Sequence, residues 1–246
     1  MPKAGALETQ RLTAAQAKVE LGKHTDPVRA KFVQGYFRTG AGEYGAGDRF
    51  IGVAVPALRK VAKRFHALPT IEIKKLLASP IHEERLLAVV ILAYRAQRAD
   101  DTAGRELADF YLQNRARVNN WDLVDSSAEY VLGPFIDELE PTLDTLSRSE
   151  IVWDRRISIL TQMHELRRGK TRRYFRFAKR FLDDEHDLIH KAVGWLLREA
   201  GKKDPKGLAD FLDAHATRMP RTMLRYAIER LPEPSRKAYL ATRRQR

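Results

Sequence analysis

Four segments of this chain each place a cation just ahead of an apolar helical stripe. They are Arg85-Leu-Leu-Ala-Val, Arg156-Ile-Ser-Ile-Leu, Lys191-Ala-Val-Gly-Trp and Arg225-Tyr-Ala-Ile. The steps between them are 71, 35 and 34 residues, so a period near 35 leaves one place unfilled, around position 120. Helical segments recurring at this interval define an α-solenoid, because each pair can bury its apolar face only against its neighbours. The expected fold is therefore all-α, a HEAT-like helical repeat solenoid. It is expected to form one domain over residues 1–246, with equivalent positions of the inner helices lining a concave groove.

The remaining pattern agrees. Almost every segment has helical period, and no run alternates as a strand would. Helices are expected over about 7–22, 26–37, 56–66, 70–78, 81–97, 103–117, 120–132, 141–147, 150–167, 171–183, 187–200, 205–215, 220–231 and 234–243. Pro56, Pro205 and Pro220 suit first turns, whereas Gly133-Pro134, Gly169 and Gly201 suit stops. The exception is Thr39 to Gly52, TGAGEYGAGDRFIG, which lacks the Gly-Lys-Ser/Thr of a triphosphate loop. It reads as a mobile loop feeding the helix PALRKVAKRF, whose N-terminus, with Arg59 and Lys60, can hold a nucleic-acid phosphate.

Charge narrows the partner. The formal net charge is +13, and Arg167–Arg180 holds eight basic residues and no acidic one, interleaved with Tyr174, Phe175 and Phe177. His215–Arg246 adds nine Lys and Arg against Glu229 and Glu233. Such runs suit a polyanion, with duplex DNA backbone the natural partner. Phosphate contacts are expected from Arg59, Lys60, Lys191, Arg172, Arg173 and Arg225. The chain has no Cys, which excludes disulfides, thiolate metal sites and Cys nucleophiles. The longest apolar run, Leu86–Tyr94, is nine residues, too short for a membrane span of roughly 20. Together with an N-terminus lacking a signal-peptide core, this gives the expectation of a cytoplasmic protein, nucleoid-associated in a bacterium, with no membrane partner.

Against that background, the segment Trp121–Glu150 is acidic, with eight carboxylates against Arg148. It opens with NNWDLVDS, at the unfilled place in the repeat. Asn119 reads as an N-cap, with Asp122 as its capping-box partner. Trp121 and Asp125, four residues apart, share one helix face. The repeat places Arg156 and Trp195 on the same concave surface, leaves adjacent Arg155 as a surface charge, and assigns Trp153 to packing. Two Trp, a carboxylate and an Arg on one groove suit an electron-poor planar ligand beside a phosphate. His186 and His190 have the HxxxH spacing of a helical metal site, but no third ligand accompanies them, and neither metal nor cofactor is expected.

The strings NNWDLVDS, VWDRRISIL and KAVGWLLRE, in this order and spacing, resemble the AlkD family of HEAT-repeat alkylpurine DNA glycosylases. YFRTGAGEYGAGDRFIGVAVPALRKVAK resembles that family's N-terminal segment, so the similarity spans nearly the whole chain. The resemblance implies Trp121 and Asp125 as the active-site Trp and catalytic Asp, Arg156 as the active-site Arg and Trp195 as a second sugar-facing Trp. Asn120 departs from the residue found in some members, which bears on lesion range or affinity rather than on the carboxylate. It further implies a monomeric enzyme that excises N3- and N7-alkylated purines from double-stranded DNA, by a mode that need not extrude the base. The residues leave two other readings open: a non-catalytic reader of DNA damage or structure, and a protein-binding helical scaffold.

Overall fold

The computed structural model describes residues 12–242. It contains helices and turns, with no strand among the described residues beyond an isolated Arg49–Ile81 bridge. The chain divides into two compact units, one ending at Arg98 and the other beginning at Ala99.

The first unit contains α1 (Ala14–Gly22), α2 (Pro27–Tyr36), α3 (Val55–Arg64), α4 (Thr70–Leu77) and α5 (His82–Ala96). Helix α5 is its centre, with Leu86 to Ala93 buried throughout and both α3 and α4 packed on it. The helix expected from residue 7 begins at Ala14 within the described residues. Thr13 and Gln16 form a reciprocal capping box there, and residues 7–11 lie outside the described region. The loop expected to be mobile is instead anchored. Its Asp48 is buried, bonding Arg85 at 2.5 Å and His82 at 2.9 Å. Glu83 receives the amides of Ile51 and Gly52, and Phe50 stacks on His82 with centroids 4.5 Å apart. Gly52 has φ +80°, and a Cβ there would lie 2.0 Å from the Asp26 carbonyl oxygen, so this close approach of the loop to α2 requires glycine.

The second unit contains α6 (Asp101–Gln113), α7 (Trp121–Asp125), α8 (Ala128–Val131), α9 (Glu140–Ser147), α10 (Val152–Thr161) and α11 (Met163–Arg167). It continues with α12 (Arg172–Ala178), α13 (Asp187–Lys203), α14 (Pro205–His215), α15 (Arg221–Ile228) and α16 (Glu233–Ala241). Helices α10 and α13 connect its layers: α10 packs on α7, α8, α9 and α13, and α13 also on α14 and α15. Gly201 does not stop α13. Its missing Cβ admits the Leu208 side chain, whose Cδ2 would otherwise sit 2.3 Å away, and the helix runs on to Lys203. The helices expected over 120–132 and 150–167 are each broken, at Ser126-Ser127 and at Gln162.

The repeat is real but its register differs from the expectation by one residue. Ser79 and Ser149 each accept, through Oγ, the amide two residues on, at 3.0 and 3.1 Å. Asp184 accepts the amide of His186 in the same way at 2.9 Å. Six residues beyond each of these, a side chain returns to its carbonyl. Arg85 bonds Ser79 O at 3.1 Å, Arg155 bonds Ser149 O at 2.7 Å, and His190 contacts Asp184 O. Arg155, not Arg156, is thus the counterpart of Arg85, and His190 rather than Lys191 follows it. Continuing at 35 residues places Asn120 in the unfilled position and Arg225 at the end. One residue turns a helical side chain by about 100°. Arg156 therefore stands where α5 has buried Leu86, and its role is its own rather than the repeat's.

Candidate active site

Helix α7 is only five residues long. Its N-cap is Asn120, not Asn119: the buried Asn120 accepts the Trp121 amide through Oδ1 at 2.8 Å. Asp122 consequently falls at the second helical position, one short of the capping-box place expected of it. Leu123 and Val124 turn into the core, while Trp121, Asp122 and Asp125 remain half-buried on the outer face. The spacing argument for Trp121 and Asp125 sharing that face applies to the observed helix.

Arg156 reaches Asp125 from α10 with a two-pronged bond, Nε to Oδ1 at 2.8 Å and Nη2 to Oδ2 at 2.7 Å. Its remaining arm donates from Nη1 to the Leu188 carbonyl at 2.6 Å, at the start of α13. Three helices thereby fix one carboxylate. The Arg156 side chain is 6% exposed and that of Asp125 18%, so the guanidinium is enclosed and the aspartate stays partly exposed. Burial pushes the Asp125 pKa above the ordinary aspartate value, against the opposing pull of Arg156, and neighbouring Asp122 adds to the rise. Since each oxygen gives one lone pair to the fork, each keeps further acceptor capacity.

Trp195 lies on α13 two turns beyond Leu188, on the face it shares with Lys191, and is half-buried. Trp153 is buried, as a packing role requires. Arg155 is not a free surface charge. It bonds the Ser149 and Glu150 carbonyls and lies 2.8 Å from Asp184. His186 caps α13 by accepting the Leu188 amide at 3.2 Å, and burial followed by nearby Arg155 lowers its pKa, which suits an acceptor nitrogen.

The cations divide in two. Arg59, Lys60, Arg172 and Arg225 are exposed and lie outside every ion pair found among the described residues. Arg173 instead bonds Asp137 and lies 3.5 Å from Glu140, while Lys191 bonds Asp187 at 2.7 Å. The interleaved aromatics pack inward: Tyr174 is buried with its hydroxyl on Val193 O, Phe175 lies against Phe211 and Phe177 against Phe181. Tyr174 is thus a core residue, whereas Phe175 and Phe177 are half-buried beside it. Sequence reasoning missed the Leu188 carbonyl, Tyr111 and Ser127. The paired serines at 126 and 127, inside an otherwise helical run, were the available signal for the last.

Fold and site together define an all-α helical-repeat protein with an arginine-clamped carboxylate on the same short helix face as a tryptophan. Residues 17–231 match the DNA alkylation repair enzyme family, and the chain belongs to that family. Among solved structures it is similar to a predicted DNA alkylation repair enzyme from Enterococcus faecalis, with TM-score 0.63 and 17% identity, over 85% of this chain and 98% of that one. At that identity the likeness concerns the fold alone. No curated protein matches the chain. Membership indicates a role in alkylation damage repair with DNA as substrate, and no described helix is long and apolar enough to cross a membrane.

Proposed function

We propose that this chain is a monofunctional DNA glycosylase that releases cationic N3- and N7-alkylpurines from duplex DNA, working as a monomeric HEAT-like repeat domain. The observation that carries the reading is the Asp125 carboxylate, held by Arg156 at 2.8 and 2.7 Å on a side chain that stays 18% exposed. An alkylated purine with a formal positive charge departs as a neutral base, so the leaving group needs no general acid. As the bond to the sugar breaks, positive charge develops on the deoxyribose. A fixed carboxylate stabilises that charge without reorganising, and its free lone pairs can orient the attacking water.

In this reading Trp121 and Trp195 pack faces against the sugar and favour its cationic state. Arg156, with its bonds directed to Asp125 and Leu188, orients the carboxylate rather than gripping a phosphate. The exposed Arg59, Lys60, Arg172 and Arg225 hold the backbone, with Arg173 and Lys191 contributing only if they leave their carboxylates.

The test is single-turnover incubation of the protein, in excess, with duplex DNA carrying 7-methylguanine or 3-methyladenine. Free base should appear and leave an abasic site. Tight binding without release would replace the enzyme by a reader of damage, and absence of duplex binding would point to a protein scaffold.

A further inference from the structure

The turn that ends α7 is built on two buried hydroxyls. Ser127 is wholly buried and leaves the helix, with φ −135° and ψ −46°. Its amide bonds Val124 O at 3.1 Å, one residue short of the helical partner. In a continuing helix the Ser127 amide would bond Leu123 O. Instead the Ser127 hydroxyl donates to Leu123 O at 2.6 Å, filling the acceptor that the break vacates. A serine hydroxyl carries a single hydrogen. With that hydrogen on Leu123 O, the 3.0 Å contact between Ser127 Oγ and Tyr111 Oη has Tyr111 as donor. The bonds therefore run in one direction, Tyr111 to Ser127 to Leu123. Tyr111 stays protonated, its pKa raised by burial with a further rise from the Asp125 charge.

Asp125 lies midway between Leu123 and Ser127, the two anchors of this chain. Stopping the helix there makes Asp125 the last residue of α7, at the distances from Arg156 given above. Neither hydroxyl is placed to meet DNA, since both residues are buried. We propose that Ser127, braced by Tyr111, is a positioning residue that holds the Asp125 carboxylate on the Arg156 fork. Its importance for base release rests on the excision reading above.

Two measurements on the full chain test this. In single-turnover release of 7-methylguanine at saturating protein, Ser127→Ala should be about ten- to a hundredfold slower, the scale of a misplaced catalytic group. Tyr111→Phe, which leaves the Ser127–Leu123 bond in place, should be about two- to tenfold slower, and Ser127→Thr, which keeps the hydroxyl, should recover most of the rate. The second readout is the carbon-13 NMR titration of the Asp125 carboxyl, which needs no activity. Loosening the fork removes the pull that opposes burial, so the midpoint should rise in Ser127→Ala and, less, in Tyr111→Phe. Folded variants with lower stability but unchanged rates and midpoints would show a merely structural turn and overturn the proposal. Should Ser127→Ala fail to fold, Tyr111→Phe decides alone. A wild type that releases no base sinks the excision reading, while the titration still decides whether Ser127 sets the carboxylate.

Discussion

Two Asp–Arg pairs, one in each unit, use the same chemistry for opposite ends. In the first unit, Asp48 is 7% exposed and divides its oxygens between Arg85 and His82, themselves 2% and 1% exposed. The pair fastens a glycine-rich loop to α5. In the second unit, Asp125 gives both oxygens to one arginine and stays 18% exposed. A single clamp takes one lone pair of each oxygen and leaves the side chain partly exposed. The difference teaches that burial of an ion pair is not by itself a sign of function. What matters is which partner is enclosed and whether the other stays partly exposed beside groups that could hold a substrate.

That contrast can be tested by removing one carboxylate at a time. The largest effect is expected from Asp48→Ala, which strands the Arg85 charge in the interior and should cost about 3–5 kcal/mol of stability. Urea denaturation measures this, and excision per folded molecule should be unchanged; a lost rate in fully folded protein would break the division of roles. Asp125→Asn should do the reverse, keeping fold and duplex binding while slowing release by about 10²–10³-fold, the usual loss for one preorganised electrostatic group. Its pH profile adds a sign. Because burial raises the Asp125 pKa and the carboxylate is the active form, wild-type excision should fall as pH drops through a midpoint above that of an exposed aspartate. The same shift acts oppositely on folding: the contribution of this group is fully present below the unfolded-state value and is lost as pH rises through the folded midpoint. An acid limb that survives in Asp125→Asn would assign the titration elsewhere.

Arg156→Lys keeps a cation but loses the planar fork, so it sharpens the comparison further. It should slow release by about ten- to a hundredfold, with binding little affected. Unchanged kinetics would mean that charge alone, not orientation, is what Arg156 supplies. The smallest effects concern the surface. Replacing Arg172 or Arg225 by Ala should weaken duplex binding and lower the slope of log affinity against log salt by about one each. Arg173 and Lys191, already paired with Asp137 and Asp187, should change that slope less. Equal changes at all four positions would show that the ion pairs open on binding.

Much of this protein is determined locally and was legible in the chain. Helical period, the prolines at α3 and α14, and the recurrence near 35 residues specify an all-α repeat, because apolar spacing along a helix is a property of neighbouring residues. The words around Trp121, Arg156 and Trp195 were enough to resemble a family that residues 17–231 match. Tertiary structure alone decided the rest. Whether Arg155 or Arg156 carries the repeat role depends on a rotation of about 100°, which spacing near 35 does not resolve. At the break after Asp125 the Ser127 hydroxyl takes over a helical acceptor and meets Tyr111, sixteen residues before it. The Leu188 carbonyl that steadies Arg156 is a main-chain group common to every residue, so no side-chain pattern marks it. Arg173 looked as free as Arg172 and Arg225 in the sequence, and only packing brought a carboxylate to it, whereas Asp187 and Lys191 pair locally, four residues apart on one helix. The helices follow from contacts three and four residues apart, whereas the clamp on Asp125 joins groups more than thirty apart, and only the folded chain brings those together.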